Sequence, residues 1–289
     1  MEAQQWSTEQ QPNRMAVHQF ESQVIGDQLE ITVVTPLTYN EWSDPPLPTI
    51  FVLDPFLTLS MVVGFTRLVG TLSSGVFPQT LVVGVGYPAH NLNDSTDRRI
   101  RDFTPTVADF PPEMAGEPPK YGVGGAPKLL QSLITEIIPG IQARYPVHPT
   151  DRTLIGWSLG GLFGLYTLFH QPDVFARYLL VSPSIWWDET VSFTFEQRWS
   201  EQNKDLAARV FISVGEHEGT VGDIWQNESF SSAAIKRLKM VNNVVELSDR
   251  LKRRAYPNLQ LQQRIIPDEY HMTVFPAALS HGLLFLFQV

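Results

Sequence analysis

Five segments of the chain are almost uninterrupted runs of Val, Ile, Leu and Phe: "TIFVLD" at Thr49–Asp54, "LVVGVGY" at Leu81–Tyr87, "RTLIGWS" at Arg152–Ser158, "YLLVSPS" at Tyr178–Ser184 and "RVFISVGE" at Arg209–Glu216. Strands of this composition are covered on both faces, as in a parallel sheet flanked by helices. Two earlier candidates, His18–Val24 and Leu29–Pro36, alternate more regularly and suit an antiparallel edge, and Leu259–Ile266 completes a set of about eight. Helical patterns fall between them at Leu57–Leu72, Ala126–Arg144, Ser158–His170, Ser231–Arg254 and Thr273–Phe287. Strand–helix alternation of this kind predicts a doubly wound α/β fold with a mostly parallel central sheet. No repeat or linker divides the 289 residues, so one domain is expected, with residues 1–16 as a polar N-terminal extension.

Composition narrows the chemistry. The chain has no cysteine, which excludes disulfides, cysteine-ligated zinc, iron–sulfur clusters and a cysteine nucleophile. A net charge of −9 argues against nucleic acid as the main partner. Met1–Ala16 lacks a basic start followed by an apolar run, and stretches such as Thr80–Tyr87 and Leu283–Phe287 fall well short of the roughly 20 residues that span a bilayer. The expectation is a soluble cytoplasmic protein without a membrane partner.

Three stretches break the alternation. Asn91–Gly125 is rich in Pro and Gly, Trp186–Asp205 carries three of the seven tryptophans, and His217–Ser229 follows a strand end. All would sit near the carboxyl ends of strands, where open α/β sheets bind ligands. Residues 91–125 are expected to cap the site and to contribute to substrate choice.

Gly156-Trp157-Ser158-Leu159-Gly160 is a G-x-S-x-G between an apolar strand and an apolar helix. In that context it predicts a nucleophile elbow, a tight strand–turn–helix that lifts a serine hydroxyl above the sheet. The base and acid should then follow in the order Ser, acid, His. His271 lies after the last strand candidate and at the start of the final helix, where the base belongs; His281 falls inside an apolar helix and His217 lies between two glutamates. For the acid, the run Gly215-Glu216-His217-Glu218 offers Glu218, three residues past the glycine, with Glu216 as the alternative. Asp223 is a weaker choice, and Asp268 is too close to His271 in sequence to be preferred. The oxyanion hole should use the backbone N–H of Leu159 plus one from the loop Leu53-Asp54-Pro55-Phe56. Proline has no N–H, so Phe56 is the expected second donor.

Arg98, Arg99 and Arg101 form the only dense basic cluster near this site and could attract an anionic substrate. Trp157, Trp186, Trp187 and Phe56 could line an aromatic pocket, although core packing explains Trp187 equally well.

From about residue 17 to the C-terminus the chain resembles the esterase family of α/β-hydrolases that includes the enterochelin (siderophore) esterases. The resemblance rests on "FVLD", "RRIRDFTP" at Arg98–Pro105, "GGAPKLL" at Gly124–Leu130, Tyr145–Phe175, "SPSIWW" at Ser182–Trp187, "VGEHE" at Val214–Glu218 and "HMTVFPAAL" at His271–Leu279. It implies an α/β-hydrolase fold and a serine esterase with a Ser158–His271–Glu218 triad, and places Arg101 and Asp102 in the site wall. Members of the family cleave siderophore esters, and others cleave unrelated acyl or feruloyl esters. The chain departs from the family pattern at Trp157, where a His or another polar residue is usual, and at Pro55, where a Gly is usual. The expected substrate is a small-molecule ester, such as an iron-siderophore. No metal or organic cofactor is called for, since iron would enter only as part of the substrate. A general carboxyl or feruloyl esterase, an acyltransferase and a non-catalytic binding protein on the same fold are the alternatives.

Overall fold

The computed structural model describes residues 7–11, 14–40, 44–73, 75–88, 92–110, 118–219 and 238–288. Nine strands form one sheet: β1 (Ser7–Gln11), β2 (Met15–Ser22), β3 (Asp27–Val34), β4 (Leu47–Leu53), β5 (Leu81–Gly86), β6 (Val147–Trp157), β7 (Arg177–Val181), β8 (Ala208–Gly215) and β9 (Leu259–Ile266). Their order is β1-β2-β3-β5-β4-β6-β7-β8-β9. The first three strands run antiparallel to one another and β3 runs antiparallel to β5; from β5 onward every pairing is parallel. The ninth strand, β1, comes from the segment expected to be a plain polar extension. Its partner is β2, register Ser7 to Gln19.

The helices are α1 (Pro55–Leu72), α2 (Leu92–Phe103), α3 (Ala126–Ser132), α4 (Ile138–Gln142), α5 (Leu159–His170), α6 (Trp187–Gln202), α7 (Met240–Arg254) and α8 (Val274–Phe287). A π-helical turn, Leu133–Ile137, joins α3 to α4. Alternate residues of the central strands feed two cores. Phe51, Leu53, Val83, Leu154, Leu180 and Ile212 belong to the core under α3, α5 and α7. Ile50, Val52, Val82, Ile155, Leu179 and Phe211 belong to the core under α1 and α8. Burial on both faces is why these strands are apolar throughout. Helix α1 is long and apolar enough to cross a membrane by length and composition alone, a longer apolar segment than the sequence reading found, and its Leu59, Val62 and Val63 pack on the sheet. This is the α/β-hydrolase arrangement.

Two segments differ from expectation. Residues 91–125 carry a twelve-residue helix, α2, and Trp186–Asp205 holds α6, which is broken near its start by left-handed backbone at Asp188, Glu189 and Thr190. Helix α2 is polar, reading LNDSTDRRIRDF, and its turns are joined by charge, as in the Arg98–Asp94 pair one turn apart at 2.9 Å. A helix held this way leaves no apolar stripe in the sequence. Asp223 and most of His217–Ser229, as well as residues 231–237 of the expected Ser231–Arg254 helix, lie outside the described residues.

His18, on β2, is 3% exposed and its Nε2 lies 2.7 Å from Tyr145 Oη. Burial pushes this imidazole below its ordinary range, and the charge of Arg144 adds to the effect. The unfolded chain therefore takes up a proton near pH 6.5 that the folded chain refuses. Stability should be full above about pH 6.5 and fall as pH drops below it. Urea unfolding between pH 5 and 7.5 should show this slope, and His18→Gln should flatten it.

Candidate active site

At the end of β6 the chain turns into α5 through Ser158, whose backbone sits at φ 59 and ψ −119. A Cβ on Gly156 would lie 2.2 Å from the Gly160 carbonyl oxygen, and one on Gly161 would lie 2.9 Å from Pro183 Cα, so no side chain fits at either position. The turn is also held by hydrogen bonds. Ser158 N–H donates to Val181 O at 3.0 Å, while Ser158 O accepts from Leu162 and Ser184 N–H, each at 3.0 Å.

Ser158 Oγ lies 3.0 Å from His271 Nε2. His271 sits in the turn between β9 and α8, and its Nδ1 lies 2.6 Å from Glu218 Oε2. A carboxylate can only accept there, so Nδ1 carries the proton and Nε2 is left to accept from the serine hydroxyl. Glu218 is buried in a 3-10 turn, Glu216–Gly219, after β8. Its other oxygen, Oε1, accepts from Gly215 N–H at 2.7 Å and from Ser182 Oγ. Glu216 points elsewhere: it is exposed and accepts the N–H of Asp268 at 3.1 Å. The two glutamates that the sequence left open thus have separate places, and only Glu218 reaches the imidazole. Among the described residues, one group of side chains could hold a metal ion, Glu216, His217 and Asp268, with ligand atoms within 4.8 Å of one another at the surface.

Trp157 lies beside His271. Its ring is 5.0 Å from that of His271, tilted by 34°, and its Nε1 donates to the His271 carbonyl at 3.1 Å. The unusual residue of the elbow therefore ties the base-bearing turn to β6. Trp187 differs from expectation: it is fully buried and its Nε1 donates to Thr106 Oγ1 at 3.1 Å, so it is a core residue and not a pocket wall. Trp186 does line a cavity of about 590 Å³, with Phe110, Asp109, Asp188 and Lys239. Leu159 and Phe56 are the first and second residues of α5 and α1, positions whose N–H groups have no carbonyl partner within their own helix. The Phe56 ring is 65% exposed.

The basic cluster is not free. Arg98 pairs with Asp27 at 2.7 Å and with Asp94 at 2.9 Å. Arg101 pairs with Asp102 at 2.7 Å and with Asp27 at 2.9 Å, and Asp102 also accepts from Tyr87 Oη at 2.7 Å. Arg99 pairs with Asp54 at 2.7 Å. Sequence reasoning missed Asp54, Ser182 and Ser184; the last places its hydroxyl 3.4 Å from Ser158 Oγ. Their only signal in the sequence was to lie in stretches shared with the family, Asp54 in "FVLD" and the two serines in "SPSIWW".

The sequence matches a family model described as "Putative esterase" over residues 22–254. The chain belongs to this esterase family. It is 28% identical over 284 residues to the siderophore triacetylfusarinine C esterase of Aspergillus fumigatus, a match covering 91% of this chain and 90% of that protein. It is 31% identical over 221 residues to the siderophore enterobactin esterase of Emericella nidulans, covering 72% of this chain and 71% of that one. Among solved structures it is similar to the siderophore hydrolase EstA from Aspergillus nidulans, with a TM-score of 0.81 at 26% identity over 96% of this chain and 95% of the other. Within this esterase, the ion pairing of Arg98 predicts that its charge is spent on the fold. Arg98→Gln should shift KM for an anionic ester and for a neutral one by the same factor. A rise confined to the anionic ester would mean the guanidinium reaches substrate.

Proposed function

We propose that the protein is a serine hydrolase that cleaves the ester bonds of a siderophore by way of an acyl-enzyme. The observation that carries the catalytic part is the continuous hydrogen-bonded path from Ser158 Oγ through His271 to Glu218. Ser158 Oγ attacks the ester carbonyl as His271 Nε2 takes its proton; the same nitrogen then protonates the departing alcohol. Water, deprotonated by His271, attacks the acyl-serine, and the carboxylate leaves as Ser158 recovers its proton. Glu218 keeps Nδ1 protonated and stabilises the imidazolium that forms at each step. The N–H groups of Leu159 and Phe56 are suited to hold the oxyanion, each at a helix N-terminus.

The siderophore part of the reading is supported by the relatives described above, an esterase of triacetylfusarinine C and one of enterobactin. The wall around Trp186, together with residues 91–110, is where we place substrate choice. A panel tests it: a ferric trihydroxamate ester, a ferric tricatecholate ester and a short aryl ester, each with Ser158→Ala as control. Cleavage of at least one siderophore ester, absent in the Ser158→Ala variant, is expected. Turnover of the aryl ester alone would replace this reading with a general carboxyl esterase.

The acid assignment has its own test. Glu218→Gln should lower kcat by about 10²–10⁴ with little change in KM, because a misoriented imidazole fails mainly in the transition state. Glu216→Gln, whose partner is a backbone N–H of the neighbouring turn, should leave kcat close to wild type. The reverse pattern in steady-state kinetics would move the role to Glu216.

A further inference from the structure

The loop that offers the Phe56 N–H begins at Asp54, and its geometry is demanding. Asp54 is a non-glycine residue in the left-handed region, φ 54 and ψ 49. Its carbonyl accepts the N–H groups of Leu57 and Thr58 at 2.9 and 3.1 Å, and Thr58 Oγ1 closes back on Leu53 O at 2.9 Å. Its carboxylate stands at the N-terminus of α1 without capping it. Instead both oxygens are taken by one side chain: Arg99 Nε donates to Oδ1 at 2.7 Å and Nη2 to Oδ2 at 2.9 Å. The Asp54 side chain is 5% exposed and that of Arg99 15%.

The same carboxylate also touches the other half of the site. Asp54 Oδ2 lies 3.5 Å from where a Cβ on Gly160 would be, against the first turn of the helix that carries Leu159. A buried carboxylate therefore sits close to both backbone donors suited to an oxyanion, two residues before Phe56 and against the turn that carries Leu159. Left unpaired, it would repel the negative charge that develops on the carbonyl oxygen, and the turn that aims Phe56 N–H would lose its tie to α2. Burial disfavours the charge on Arg99, but the Asp54 carboxylate outweighs it and keeps the guanidinium protonated.

We propose that Arg99 is a positioning residue for ester hydrolysis, acting through Asp54 to hold the oxyanion loop and to cancel the charge beside it. The inference rests on the serine-hydrolase reading above. It gives one arginine of the Arg98–Pro105 motif a role in the reaction without contact to substrate. A cavity of about 140 Å³ is lined by Arg99, Asp54, Pro55 and Phe56, so a small cation can reach the place the side chain would vacate.

The test uses the full chain and a neutral aryl ester. In Arg99→Ala, kcat should fall by about 10²–10³, the effect of losing one oxyanion donor, with KM within about threefold of wild type. Millimolar guanidinium should raise kcat in Arg99→Ala and leave wild type unchanged. Affinity for an arylboronic acid, which forms a tetrahedral adduct with the serine, should fall in parallel with kcat. Arg254→Gln, which removes a comparable pair to the buried Glu196, should change none of these. A folded Arg99→Ala with wild-type kcat, or a loss that guanidinium does not relieve and boronate binding does not share, overturns the proposal. If Arg99→Ala does not fold, Arg99→Lys decides: it keeps the charge but cannot make the two-pronged contact. There a kcat reduced at constant KM supports the role, and a wild-type kcat overturns it. Wild-type protein that neither turns over any ester nor takes a fluorophosphonate label at Ser158 defeats the esterase reading itself. Labelled, active wild type beside an unimpaired Arg99→Ala defeats only this inference.

Discussion

The site depends on how closely α5 approaches β6. A Cβ at position 156 would lie 2.2 Å from the Gly160 carbonyl oxygen and one at position 161 would lie 2.9 Å from Pro183 Cα, so the turn needs glycine at both. That proximity forces the left-handed backbone at Ser158 and raises its hydroxyl out of the sheet plane. It also leaves the first N–H groups of α5 free of carbonyl partners beside the nucleophile. The backbone of Ser158 is then tied on both sides, to Val181 at the end of β7 and to Ser184 just beyond it. Ser158 is therefore positioned by the sheet register itself, because β6, β7 and β8 bring Ser158, Ser182 and Glu218 to the same edge.

The oxyanion loop shows the same logic one strand away. Pro55 has no N–H to give, yet its ring lies where side chains at Gly84 and Gly86 would collide with it, at 2.7 and 2.6 Å. The glycines in "LVVGVG" thus make a seat on β5 for the proline that opens α1, and the proline's fixed φ suits the first position of a helix. Below, the loop is set by this contact; on its other side it is set by the carboxylate of Asp54. The departure from the usual family residue at Pro55 is consistent with a loop whose donor is Phe56.

The parallel strands were legible because two-sided burial writes itself into composition, and the antiparallel edge because one-sided burial alternates. Helix α2 was not, since its turns are joined by charges rather than by an apolar stripe, and α6 was not, since its start is broken at Asp188–Thr190 and its buried side mixes Ser192 and Glu196 with Phe195. In the site, chain order and strand context are enough to single out Ser158 and His271. Between Glu216 and Glu218, spacing from Gly215 favours Glu218, and it is the 3-10 turn Glu216–Gly219 that sends one carboxylate inward and leaves the other exposed. Trp187 fails as a pocket residue for a similar reason: its partner, Thr106, is eighty-one positions away, and only the fold shows that it faces the core. The arginines misled because a run of positive charge looks available until its carboxylates, from Asp27 to Asp102, are assembled around it.

That assembly has a chemical consequence. Ester hydrolysis makes a carboxylate, so a free guanidinium at the site would bind the product as firmly as it binds the transition state and contribute nothing to the difference between them. Here the cations near the oxyanion loop are matched by anions of the fold, and in the proposed mechanism the transition-state charge meets backbone dipoles at two helix N-termini. Fixed N–H groups favour the localised charge of a tetrahedral oxyanion at one point in space, and a planar ester or a departing carboxylate does not place its oxygen there. Pairing every arginine of α2 is thus compatible with fast release of an anionic product from a protein of net charge −9, which repels it once it leaves.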